Sequence, residues 1–135
     1  MRPNLLLALA CALLSGCTTT SLGRVTPGLQ STASIEKAMD GGLIGRELGK
    51  DLNSRDRRLA LQAEYTALEH TPGGKPVTWK SEGGAWSGEV VAAQPYRVGS
   101  QDCRQYRHAV TGGSGTREAR GTACRNEDGS WTPLT

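Results

Sequence analysis

The chain opens on an apolar run, Leu5 to Leu14, with Arg2 ahead of it and Ser15, Gly16 and Cys17 behind it. The run is about half the roughly 20 residues a spanning helix needs. A positive start, a short apolar stretch and a small-residue finish predict an export signal over residues 1–16. Residues 17–34 are rich in Ser, Thr and Gly. Such a composition cannot support a core, and the segment is read as a flexible tether. Residues 35–53 carry Gly41, Gly45 and Gly49 at four-residue spacing, interleaved with Met39, Leu43, Ile44, Leu48 and Leu52. On a helix these glycines share a face where another backbone can approach. Asp40, Arg46, Glu47, Lys50 and Asp51 make the segment too polar to span a membrane. Two readings stand: a weak helix in which each Gly costs about 1 kcal/mol against Ala, or the remnant of a longer glycine-rich, membrane-associated segment.

The pattern then divides residues 54–135 into a helical part and a stranded part. Over 54–69, Leu61, Tyr65 and Leu68 recur at helical spacing, widened by Ala60, Ala63 and Ala67. Asn53 or Ser54 can cap this helix, Asp56 suits its first turn, and Pro72-Gly73-Gly74 ends it. From Val77 onward short strands alternate with turn signals. Val77–Lys80 and Ala85–Ala93 flank Ser81–Gly84, and Pro95–Gln101 reads as a connection. Cys103–Gly112 and Gly115–Arg125 flank Gly113-Ser114, and Ser130–Leu134 follows Asp128-Gly129. The predicted fold is α+β: an N-terminal helix packed on a small antiparallel meander sheet of about five strands.

The central hairpin can be registered by counting. With Gly113-Ser114 as a two-residue turn, Cys103 falls opposite Cys124. The pair lies nine steps out from Gly112 and Gly115, an odd number. It is therefore a non-hydrogen-bonded pair, with the closer Cα approach of about 4.5 Å. Turn chemistry and cysteine placement are independent features, and both point to a Cys103–Cys124 disulfide. The same register puts Tyr106, His108 and Val110 on one face with Gly121, Ala119 and Arg117. That face is the candidate core. The other face holds the cysteines with Gln105, Thr122, Arg107, Arg120 and Glu118. Arg107 lies opposite Arg120, an unfavourable facing of like charges unless an anion or Glu118 intervenes. These two arginines are the candidate ligand contacts. The chain has no Phe, so Trp79, Trp86 and Trp131 are expected in the core, the alternative being an exposed platform for glycan.

Leu14-Ser15-Gly16-Cys17 resembles the bacterial lipobox. The resemblance implies cleavage before Cys17 and acyl chains, palmitate among them, on its sulfur and new amino terminus. Cys11 falls in the discarded piece. Cys103 and Cys124 are then the two cysteines that remain, an even number in an oxidising compartment. Two distant cysteines and two isolated histidines, His70 and His108, are too few for a zinc site, so no metal or cofactor is expected. The formal net charge is +3, one unit of it from Arg2. That is no footprint for nucleic acid.

The stretch GGLIGRELGKDLNSRDRRLALQAEYTALE, then PVTWK with GGAWSGEV, then CRQYRHAV and GTACRNEDGSW, resembles the 17 kDa surface antigen family of Gram-negative outer-membrane lipoproteins. The similarity covers about residues 39–133, and GTACR with DGSW is its most specific part. Members typically carry a long glycine zipper, of which this chain keeps Gly41, Gly45 and Gly49. The family supplies no catalytic residue to carry over. It implies lipid attachment at Cys17 and a domain facing the periplasm or the surface. Thr18, rather than Asp, after the lipidated Cys resembles outer-membrane sorting.

The expected function is non-enzymatic: an envelope structural or interaction module held in the outer membrane by its acyl chains, with an envelope protein or glycan as partner. The alternative is a lipid-tethered inhibitor or glycan- or ligand-binding module using Arg107, Arg120 or an exposed Trp. An enzyme pairing His108 with Asp102 or Glu118 is disfavoured. Six residues, about 20 Å of strand, separate Asp102 from His108.

Overall fold

A computed structural model describes residues 32–134. Helices α1 (Thr32–Met39) and α2 (Ser54–Glu69) flank a loop containing one 3-10 turn, Glu47–Gly49. Six strands follow: β1 (Pro76–Lys80), β2 (Trp86–Ala92), β3 (Tyr96–Val98), β4 (Gln101–Gly112), β5 (Gly115–Arg125) and β6 (Trp131–Leu134). They form one antiparallel sheet in the order β1-β2-β4-β5-β6, with β3 pairing the start of β4 in line with β2. The Pro95–Gln101 connection thus contains a short sixth strand.

Helix α2 has its predicted bounds. Asn53 is its N-cap: the side chain accepts from the Asp56 amide at 2.8 Å and donates to the Asp56 carboxylate at 2.9 Å. This reciprocal pairing satisfies an orphan amide at the helix start. At the other end the His70 amide and the Thr71 hydroxyl both donate to the Thr66 carbonyl. Leu61, Tyr65 and Leu68 are buried with Ala60, Ala63 and Ala67, so the stripe faces the sheet. The hairpin of β4 and β5 keeps the counted register, with Gly112 opposite Gly115 and Cys103 opposite Cys124. Those cysteines are bonded, their Cα atoms 4.0 Å apart.

The glycine-bearing segment is not a helix. Asp40, Gly41 and Gly42 take positive φ, which ends α1 and reverses the chain. The rest runs in turns, with Gly45 and Gly49 folded against the backbone of Gly41 and Ile44. Its apolar residues join the domain's own core: Met39, Leu43, Ile44, Leu48 and Leu52 are buried with α2 and the inner sheet face. Leu43 covers the bare backbone of Gly121, with the Tyr106 ring beside it. Trp79 and Trp131 are buried, and Trp86 is half-buried against the same core.

Candidate functional site

Two polar arrangements stand out, one on each face of the sheet. The inner one centres on Glu64, in the middle of the apolar stripe of α2 and fully buried. Its two carboxylate oxygens accept the amides of Leu43 and Ile44, each at 3.0 Å. Gly42 makes room for this, since a Cβ there would lie 2.0 Å from Glu64 Oε2. Glu64 Oε1 also meets Nδ1 of His108, on β4, at 2.7 Å. The indole Nε1 of Trp79 donates to Nε2 of His108 at 2.8 Å. An indole N–H can only donate, so Nε2 is an acceptor and the imidazole proton sits on Nδ1, donated to Glu64. The Tyr106 hydroxyl completes the group, 3.5 Å from Glu64 Oε2. Burial and the neighbouring Glu64 charge push the Tyr106 phenol well above its ordinary value, because both penalise the phenolate.

This group ties the glycine loop, α2, β1 and β4 together. Both ring nitrogens of His108 are engaged and the ring has no exposure, so neither nitrogen is offered to a bound molecule. Asp102 pairs instead with Arg97 in the hairpin of β3 and β4, and Glu118 lies on the outer sheet face. Neither is a partner of His108. Glu64 is the functional neighbour that sequence reasoning missed. Its signal was an acid inside an apolar helical stripe, with a histidine on the predicted core face of the sheet.

Two further buried or half-buried ionic groups close the end of α2. Arg104, on the core face of β4, donates to the carbonyls of Ala93, Ala67 and Leu68 at 2.7, 3.0 and 2.6 Å. A cation there satisfies the last helix carbonyls and complements the negative dipole end. Burial lowers its pKa. Glu69 accepts from Arg125 through two nitrogens and from the Trp131 indole at 2.8 Å. The Arg125 hydrogen bonds hold its carboxyl below the ordinary value, against the opposing effect of burial.

The outer face of the sheet is the one α2 leaves uncovered. Arg107 and Arg120 lie opposite each other across β4 and β5, as the register required. Glu118 stands between them, 3.5 Å from Arg107 and 2.8 Å from Arg120, and Glu89 on β2 holds Arg107 at 3.0 Å. Two carboxylates therefore answer two guanidinium groups, which relieves the facing of like charges. Beside this ladder runs an open trough of about 550 Å³ across β2, β4 and β5. Gln105 and Thr122 form one side, Arg107 and Arg120 the other, and Val91, Ala93 and Gly74 one end. Its floor is the backbone of Ala92, Tyr106 and Gly121; the side chains of Ala92 and Tyr106 are buried on the inner face, where Leu43 covers the bare Gly121. The disulfide pair lies next to it on the same face. Cys17 lies outside the described residues. Among the described residues no group of three or more His, Cys, Asp or Glu could hold a metal ion, and no helix is long and apolar enough to cross a membrane.

A family model described as the 17 kDa outer membrane surface antigen matches residues 66–132, from the last turn of α2 into the start of β6. This chain belongs to the 17 kDa surface antigen family. The 17 kDa surface antigen of Rickettsia bellii (strain RML369-C) is 35% identical over 86 residues, covering 63% of this chain and 54% of the relative. That of Rickettsia felis is 38% identical over 81 residues, covering 59% and 51%, and that of Rickettsia conorii 37% over the same length and shares. The chain spans about half the length of these curated relatives. No solved structure matches it. The matched span holds His108, Trp79, Cys103 and Cys124 and the trough. Glu64 and the glycine loop that closes over it precede that span.

Proposed function

We propose that this surface antigen is a non-enzymatic, lipid-anchored module of the outer membrane, held through acyl chains on Cys17. Its outer sheet face meets an envelope partner. The division of labour between the two faces carries the reading. The titratable centre, Glu64 with His108, is sealed inward and spent on joining four elements. The outer face is uncovered by α2 and carries the trough and the charge ladder. A domain that buries its histidine and exposes a polar sheet face is suited to contact rather than chemistry. For the anchor, each buried methylene contributes about 0.8 kcal/mol, and more than one chain gives stable attachment. A lipid-tethered inhibitor or ligand-binding module is the second reading, favoured by the trough beside Arg107 and Arg120.

Cys17→Ser, or blockade of lipoprotein signal processing, tests the anchor. The expected result is loss of the acyl mass from the intact protein and release of the domain from the outer-membrane fraction. Unchanged attachment, or an unmodified amino terminus in the wild type, would overturn the anchoring. Photo-cross-linkers placed at Gln105 and Thr122 in intact envelopes should capture a partner, and cross-linkers at Arg58 on the helix side should not.

A further inference from the structure

We propose that the outer trough takes the carboxylate end of a short extended peptide, with Arg120 as the anchor of that carboxylate. The proposal rests on the reading of the outer face as the working surface and adds the class of ligand it would hold.

The two arginines of the trough are not equivalent. Arg107 spends both terminal nitrogens inside the sheet, Nη1 on Glu118 and Nη2 on Glu89. Arg120 uses only Nε, which donates to Glu118 at 2.8 Å. Its two terminal NH2 groups have no partner among the described residues, and its side chain is 78% exposed. The internal bond to Glu118 therefore steadies the guanidinium while leaving two donors side by side. A pair of parallel N–H donors is the geometry that binds a carboxylate through both oxygens.

The rest of the trough is graded in the same direction. Thr122 and Arg120 lie two residues apart on β5, Gln105 lies midway on β4, and Val91 on β2 and Ala93 just beyond its end form the small apolar end. Neighbouring strands lie about 4.8 Å apart, so crossing three strands covers about 10 Å. An extended peptide advances about 3.4 Å per residue, so three residues span that length. The two rows of side chains are separated by two residues along each strand, about 7 Å, wide enough for one chain. Cation, amide and small apolar end occur in the order of a terminal carboxylate, a peptide group and a small side chain upstream. The volume of about 550 Å³ lies within the ordinary range for a small ligand.

The full chain, isotope-labelled in detergent, would be titrated with acetyl-Ala-Ala-Ala, with its C-terminal amide, and with glucuronate as a sugar acid. The free acid is expected to move the amide resonances of Val91, Gln105 and Thr122. The amide derivative, and Arg120→Gln with the free acid, should each bind roughly tenfold or more weakly, the loss of a charge-assisted bidentate pair. Arg120 is exposed, so an unchanged melting temperature will confirm that the variant is folded. Equal binding of acid and amide, or unaltered binding by Arg120→Gln, overturns the proposal. Glucuronate binding as tightly as the tripeptide would mean that the site reads a carboxylate without reading a peptide, which ends the peptide assignment and leaves the working surface standing. If no probe moves these resonances the proposal fails. Envelope cross-links from Gln105 and Thr122 then decide separately whether the outer face is the working surface.

Discussion

Glu64 Oε1 meets His108 Nδ1 at 2.7 Å with neither side chain exposed, although the residues are 44 positions apart on α2 and β4. The same carboxylate holds the amides of Leu43 and Ile44. One side chain thus fixes the helix on the sheet and the glycine loop on the helix. Removing it leaves two loop amides and an imidazole N–H buried without acceptors, and each such group costs about 1–3 kcal/mol.

Glu64→Ala should therefore lose about 3–5 kcal/mol in equilibrium urea unfolding, the scale for breaking a buried pair from one side. A small domain has only about 5–15 kcal/mol in all, so the variant will be close to unfolded at 37 °C. Glu64→Gln keeps one acceptor oxygen. It should lose less, with faster hydrogen exchange at Leu43 or Ile44. An unchanged urea midpoint in Glu64→Ala would remove the network from any account of stability.

Gly88 sits on β2 opposite Trp79, and the indole crosses over it to reach His108. A Cβ at Gly88 would lie 2.3 Å from Trp79 Nε1 and 2.9 Å from the Ala109 carbonyl. The ring must then leave His108 or the strand must shift. Gly88→Ala is expected to cost about 1–3 kcal/mol, the range for overpacking. The Trp79 indole N–H resonance should move out of its buried position. Retention of that resonance with full stability would refute the crossing.

Cys103 and Cys124 close a 21-residue separation within a hairpin that already pairs its ends. The ladder of β4 and β5 limits the entropy that the bond removes from the unfolded chain. The double variant Cys103→Ala/Cys124→Ala should fold to the same sheet and lose about 2 kcal/mol, the lower part of the usual range. Urea midpoints and amide protection along the hairpin measure both parts. Loss of the ladder itself would mean that the bond holds the register and the turn does not.

Local signals made α2 and the hairpin readable. Asn53 with Asp56 marks a helix start, Pro72-Gly73 marks its end, and Gly113-Ser114 sets a register that the cysteines check. The glycine loop was not readable, because four-residue spacing on a 3.6-residue period looks helical. What bends it is Glu64, a tertiary partner 20 residues further on. The facing of Arg107 and Arg120 was readable from the same register. The trough was not: the meander order put β2 beside β4, but no turn count fixed the register that sets Val91 opposite Arg107 and Ala93 beside Gln105. Arg104 was passed over for a similar reason. Alternation puts it on the core face with Tyr106 and His108, but its carbonyl partners come from the end of a helix packed there by the fold.

The two ends of the pH range should act through different residues. Glu69 is held below its ordinary value of 4.5, chiefly by Arg125. The unfolded chain therefore takes up this proton first as the solution is acidified. The stability Glu69 supplies is complete above pH 4.5 and is lost as the pH falls through its lower folded value. Tyr106 is displaced the other way, above its ordinary 10.0, chiefly by burial. The unfolded phenol ionises near that value while the folded one keeps its proton, so stability declines as the pH rises beyond 10.0. Glu69→Gln should flatten the acid limb of a stability–pH profile and leave the alkaline limb alone. Tyr106→Phe should flatten the alkaline limb alone. Urea unfolding over about pH 3–6 and about pH 9–11 separates the two, since stability rises with pH wherever the unfolded state binds more protons. If either variant altered both limbs, the two sites would be coupled through α2, which carries both Glu69 and the buried Glu64 that Tyr106 contacts.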